Sequence, residues 1–198
     1  MKNKVQIRKI AITSIFAATA VVVEYLTSLI PGMPQGGNFF GISMLLIIWI
    51  SFICGLKYGL AGGFVFGCIN MGIGMLMGST FHLGSFFLDY IIPFTIIGSV
   101  GIARNGLKKW WVFLVSTILV CYIRLILHVL SGVLFFAEWC PEDQNIWVYS
   151  ILYNLYFMLS STGLTVLVGL LTRKRVDNLT SNYLQGPEGN QDVDSSRI

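Results

Sequence analysis

Arg124 and His128 lie four residues apart in an otherwise apolar run, Trp110 to Ala137, with Ser131 and Gly132 just beyond them. At helical spacing, residues 124, 128 and 132 share one face. A charged side chain at the centre of a bilayer costs roughly 2.5–3.5 kcal/mol on insertion scales, so such a stripe turns away from lipid, toward a partner or a cavity. A second apolar run carries Asp89 and Tyr90, and a third opens with Tyr149, Ser150, Tyr153 and Asn154. A carboxylate beside aromatic faces suits a flat cation, through ion pairing and cation–π contact. The chemistry indicated is capture of a small, planar, cationic molecule. Catalysis is not expected: Cys54, Cys68, Cys121 and Cys140 have no metal-ligand or redox spacing, and no Walker-type phosphate loop occurs. No metal site and no cofactor are expected either.

The elements that must position these residues are membrane spans. Of 198 residues, 55% are hydrophobic and only 11% charged, against about 25% charged in soluble domains; the mean hydropathy is +0.75. The expected fold is therefore an all-α integral membrane protein. Six apolar runs, about 10–30, 40–56, 58–78, 84–103, 110–137 and 146–172, are each near the ~20 residues that cross ~30 Å of hydrocarbon. The first is long and lacks a small-residue cleavage site, which makes it a span rather than a signal peptide. The second is short and poorly separated from the third. Gly59, Gly63 and Gly67 predict close helix packing on the third. Residues 1–172 are expected to form one six-helix domain, and the polar stretch 173–198 a disordered cytoplasmic tail.

Charge sets the orientation. Lys2, Lys4, Arg8 and Lys9 precede the first span, and Lys57 separates the second from the third. Arg104, Lys108 and Lys109 lie between the fourth and fifth, and Arg173, Lys174 and Arg175 follow the sixth, while loops 31–39, 79–83 and 138–145 carry no Lys or Arg. The positive-inside rule then places both termini in the cytoplasm. Modest net charge of +4 calls for no nucleic-acid partner. On this topology Glu24, Asp89, Arg124, His128, Tyr149 and Asn154 all fall in the outer half of the membrane, and the inner half carries no ionisable residue. A proton relay or channel needs polar groups through the full depth; a pocket open to the outside does not.

Each residue also has a structural reading. Asp89 can be hydrated near the surface, His128 can be a satisfied packing residue, and Arg124 can snorkel outward or pair with Asp89 or Glu24. Tyr149, Tyr153 and Tyr156 can form an interfacial aromatic belt. The segment Pro34-Gln35-Gly36-Gly37-Asn38-Phe39-Phe40 can cover a pocket or merely connect two spans.

The pattern Arg124-x3-His128-x2-Ser131-Gly132-x2-Phe135-Phe136-Ala137-Glu138-x2-Pro141, followed by Tyr149-Ser150-x2-Tyr153-Asn154, resembles the thiamine-binding S components of energy-coupling factor transporters. Pro34-Gln35-Gly36-Gly37 and Asp89-Tyr90 match as well, so the resemblance runs through all six spans. It implies a vitamin receptor in a prokaryotic plasma membrane, working with a transmembrane coupling protein and two cytoplasmic ATPases. It further implies that Asp89, where the family often has glutamate, faces the thiazolium with Tyr90 beside it. His128 and Asn154 would bond the aminopyrimidine, with Tyr149 near the ring and Arg124 toward the hydroxyethyl end. Gly132 would give the ring room at the backbone. Phe136 stands where the family can carry a stacking tryptophan, and Asn38 where serine is common. Small residues on the first span, Thr13, Ser14, Ala17 and Ala18, are the expected partner contacts, although packing within the chain explains them equally well. Alternatives are an S component for another vitamin or a thiamine precursor, a stand-alone carrier, or a small intramembrane enzyme using His128 and Asp89.

Overall fold

The computed structural model describes residues 2–30, 32–33, 37–76, 82–103 and 105–185. Every regular element among them is helical. The order is α1 (Lys2–Ser28), α2 (Ser43–Cys54), α3 (Leu56–Leu76), a π-helical segment (Phe86–Ile91) that runs into α4 (Ile92–Gly98) and a 3-10 turn (Ser99–Ile102), then α5 (Trp110–Phe135), a 3-10 turn (Ala137–Trp139) and α6 (Ile146–Gln185). These are the six expected helices in order, the fourth being composite. α1, α3, α5 and α6 are long and apolar enough to cross a membrane; α2 and the composite helix are shorter.

α2 is the centre of the bundle. With 12 residues it rises only ~18 Å, and it is apolar on all sides, the signature of a buried helix. Met44, Ile47, Ile48 and Ile50 are fully enclosed, and Trp49 stacks on Phe113 of α5 at 5.3 Å. The soft boundary between the second and third spans resolves at Gly55, whose φ of +100° ends α2 and starts α3 one residue later.

The glycine series on α3 packs as its spacing predicts. A Cβ on Gly59 would strike the Gly98 carbonyl and Ser51, one on Gly63 the Phe94 carbonyl, and one on Gly67 the Tyr90 carbonyl. α4 and the π-helical segment therefore lie backbone-to-backbone against α3, which no larger side chain permits. Ser51 Oγ ties the lower end by donating to the Gly98 carbonyl and accepting from Gly101 N–H at 2.8 Å.

One expectation is corrected. The polar stretch after Thr172 is not disordered from residue 173: α6 continues to Gln185, and residues 186–198 lie outside the described ones. The added turns are held by packing. Arg173 is buried and donates to the carbonyls of Leu107 and Lys108 at 2.9 and 3.0 Å, and Arg8 donates to the Leu184 carbonyl at 3.3 Å while covering the Tyr183 ring. On α1, Ala17 is buried, and Thr13, partly exposed, has its hydroxyl enclosed and its methyl beside Gly62 of α3. Ser14 and Ala18 are exposed.

Candidate functional site

A cavity of about 420 Å³ opens at the end of the bundle whose loops lack Lys and Arg. That volume lies within the roughly 300–1,000 Å³ of small-molecule sites. Its floor is built by the π-helical segment, which carries Asp89 and Tyr90. The local cause is Pro93: proline has no N–H, so the Asp89 carbonyl lacks its usual donor four residues on. Ile92 N–H reaches back five residues to the Phe87 carbonyl. The widened turn re-aims the side chains it carries, and such turns recur at functional sites.

From Asp89 a polar chain runs across to α5. Arg124 Nε donates to His128 Nε2 at 3.1 Å. An arginine nitrogen can only donate, so Nε2 accepts and the ring proton sits on Nδ1. That proton is donated to Asp89 Oδ1 at 2.9 Å, and Ser131 Oγ donates to Oδ2 at 2.6 Å. The neutral imidazole thus separates the guanidinium from the carboxylate. Arg124 pairs directly with neither Asp89 nor Glu24; its Nη1 meets Met44 Sδ at 3.5 Å and its guanidinium covers Phe94 at 4.6 Å. Ser131 Oγ is bonded to Asp89 and His128 Nε2 is occupied by Arg124, so the imidazole does not activate the Ser131 hydroxyl.

The other wall comes from α6. Asn154 Nδ2 donates to the carbonyls of Ser150 at 2.8 Å and His128 at 3.4 Å, and Ser150 Oγ donates to the Val129 carbonyl at 2.9 Å. With the amide nitrogen so engaged, the carboxamide oxygen is the acceptor left over. Tyr149, Tyr153 and Phe157 repeat at four-residue spacing along the cavity, and Phe157 meets the His128 ring edge-to-face at 5.9 Å. Tyr156 faces away and is 68% exposed. The belt reading therefore fits Tyr156 and not its two neighbours.

Asp89, Tyr90, Arg124 and His128 all line this cavity, as do Gly132, Phe136, Tyr149 and Asn154. A Cβ on Gly132 would strike Ser150 Oγ and approach Asn154, so the glycine also permits the close α5–α6 contact. Of the covering loop, residues 34–36 lie outside the described ones, while Gly37 and Asn38 line the cavity. Sequence reasoning missed Asn70 and Ser43 as cavity residues and left Glu24 unassigned. Asn70 is 7% exposed and makes no hydrogen bond among the described residues. A lone polar residue in an apolar span was the available signal. Trp139 also lines the mouth, three residues beyond Phe136.

The sequence pattern of the family described as "Thiamine transporter protein" matches residues 10–180. The chain belongs to this family. It is 32% identical over 171 residues to "Thiamine transporter ThiT" of Bacillus subtilis (strain 168), covering 81% of this chain and 88% of that one. It is 27% identical over 182 residues to the protein of the same name from Lacticaseibacillus paracasei, covering 85% and 88%. A solved ThiT structure from Listeria monocytogenes superposes with a TM-score of 0.74 at 19% identity, over 88% of this chain and 98% of that one, and shares its fold. Membership in the thiamine transporter family, together with the apolar helices, makes this a multi-pass membrane protein.

Proposed function

We propose that this chain is the thiamine-binding S component of an energy-coupling factor transporter, capturing its ligand at the outer membrane face. The observation that carries this reading is Asp89: a carboxylate on the cavity wall, held by two neutral donors and bonded to no cation. Glu24 and Asp89 against Arg124, with His128 neutral, leave one negative charge in the lining. A monocationic ligand balances it. The thiazolium would lie against Asp89, within reach of Phe136 and Trp139. The aminopyrimidine would donate to Asn154 Oδ1 near the His128 ring, with Tyr149 and Tyr153 beside it. Trp139 supplies an indole where Phe136 lacks one, and Asn70 gains the hydrogen bond it is missing. The basic loops would lie in the cytoplasm, with both termini.

Transport by this chain alone is disfavoured by what lies beneath the cavity. Among the described residues, the buried polar groups there until Arg173 include Ser51, Thr117, Thr165 and the Thr13 hydroxyl, and none is charged. ATP hydrolysis would come from partner subunits, docked through a coupling protein on the exposed face of α1. The direct test is titration of the purified protein with thiamine, for wild type and Asp89→Asn. Losing a close counter-charge costs about 2–4 kcal/mol, or ~30–1,000-fold in affinity. Equal affinity in the two proteins would sink the reading.

A further inference from the structure

Glu24 is a second carboxylate in the cavity, which the cation site does not use. It reaches the lining from α1, on the side formed with α2. Ser43 Oγ donates to Oε2, and Asn38 Nδ2 donates to Oε1 at 3.4 Å while also bonding Thr27 Oγ1 at 2.7 Å. Acceptor use of both oxygens is the pattern of an ionised carboxylate, and about four acceptor positions leave room for a further donor. Among the described residues no Lys, Arg or His lies within ion-pair distance of it. Arg124 sits in the field of both Glu24 and Asp89, already engaged by His128, Met44 and the Phe94 ring.

These positions divide the ligand. With the aminopyrimidine on the α5–α6 wall and the thiazolium at Asp89, the α1–α2 wall is left for the hydroxyl-bearing side chain. We propose that Glu24 sets the selectivity of the cavity for the free alcohol over its phosphate ester, accepting a hydrogen bond from the ligand hydroxyl and repelling a phosphomonoester at that place. The inference rests on the thiamine reading above. A monocation brings the lining to neutrality. A phosphate adds about 1.5–2 negative charges, and beside the partly buried Glu24 that repulsion is less screened than in bulk water. One guanidinium, already outnumbered by two carboxylates, does not offset it.

The test is a binding titration of purified wild type and Glu24→Gln with three probes: thiamine, thiamine monophosphate and the analogue whose hydroxyl is replaced by hydrogen. Wild type is expected to prefer thiamine over each of the other two by ~10-fold or more. In Glu24→Gln the alcohol-to-ester ratio should fall by ~10-fold or more, since only the charge is removed. An unchanged ratio in the variant overturns the proposal. If the variant does not fold, the wild-type ratio decides, and comparable affinity for alcohol and ester overturns it. Absence of thiamine binding by wild type would instead overturn the ligand reading itself, and this one with it.

Discussion

Asn70 is a buried residue of α3 whose carboxamide opens onto the cavity and makes no hydrogen bond among the described residues. A donor and an acceptor so placed are available to a ligand. Asn70→Leu is therefore expected to weaken thiamine binding by ~2–10-fold, the loss of one hydrogen bond, and to leave the melting temperature of the ligand-free protein near the wild-type value. Thermal unfolding with and without ligand reads both effects. A variant that binds as tightly as wild type would show that Asn70 only packs. This residue was hard to see in the sequence because nothing accompanies it: the neighbours are apolar and no spacing ties it to the polar groups of α5 and α6. Arg124 and His128 were legible because two costly groups at four-residue spacing define a face. What spacing could not reveal was the direction of their bonds, with Arg124 turned onto His128 rather than onto either acid.

At the scale of elements, the site depends on how closely the π-helical segment lies against α3. Gly67 and Gly72 sit in the same helix but in opposite surroundings. A Cβ on Gly67 would come within 2.8 Å of the Tyr90 carbonyl, whereas one on Gly72 meets nothing within 4 Å. Gly67→Ala must push the segment that carries Asp89, and overpacking of this kind costs about 1–3 kcal/mol. Gly72→Ala only gains helix propensity, about 0.5–1 kcal/mol. The expected result is opposite shifts in melting temperature, with thiamine affinity reduced in Gly67→Ala alone; shifts of the same sign would refute this account of the α3 contact. The glycine repeat and the six apolar runs were readable because both are periodic. The π-helical turn was not, since Pro93 removes a donor without dictating which local rearrangement follows. The extension of α6 escaped for a related reason. Its polar turns are held by Arg173 and Arg8, whose carbonyl acceptors are remote in sequence.

At the scale of the whole molecule, the cavity occupies one end of the bundle and the other end is a packed core around α2. Among the described residues no charged side chain is buried between the cavity and Arg173, so on the function proposed above delivery would need a movement of the protein and a partner to drive it. The least enclosed span is α1, of whose most apolar stretch only 11% is buried. Its outward side carries Ser14 and Ala18, where small side chains let another helix approach closely. Ala17, equivalent by spacing alone, is buried in the bundle, and Thr13 is only partly exposed, a distinction that sequence composition cannot make. The pair Ala18→Trp and Ala17→Trp separates the two faces. Ala18→Trp should leave thiamine binding by the purified protein near the wild-type value and abolish both uptake in cells and co-purification with a coupling protein. Ala17→Trp should instead lower the melting temperature, because the indole must displace neighbours in a close-packed interior. Normal uptake by Ala18→Trp would remove α1 as the docking face and leave the partner to be sought elsewhere on the bundle.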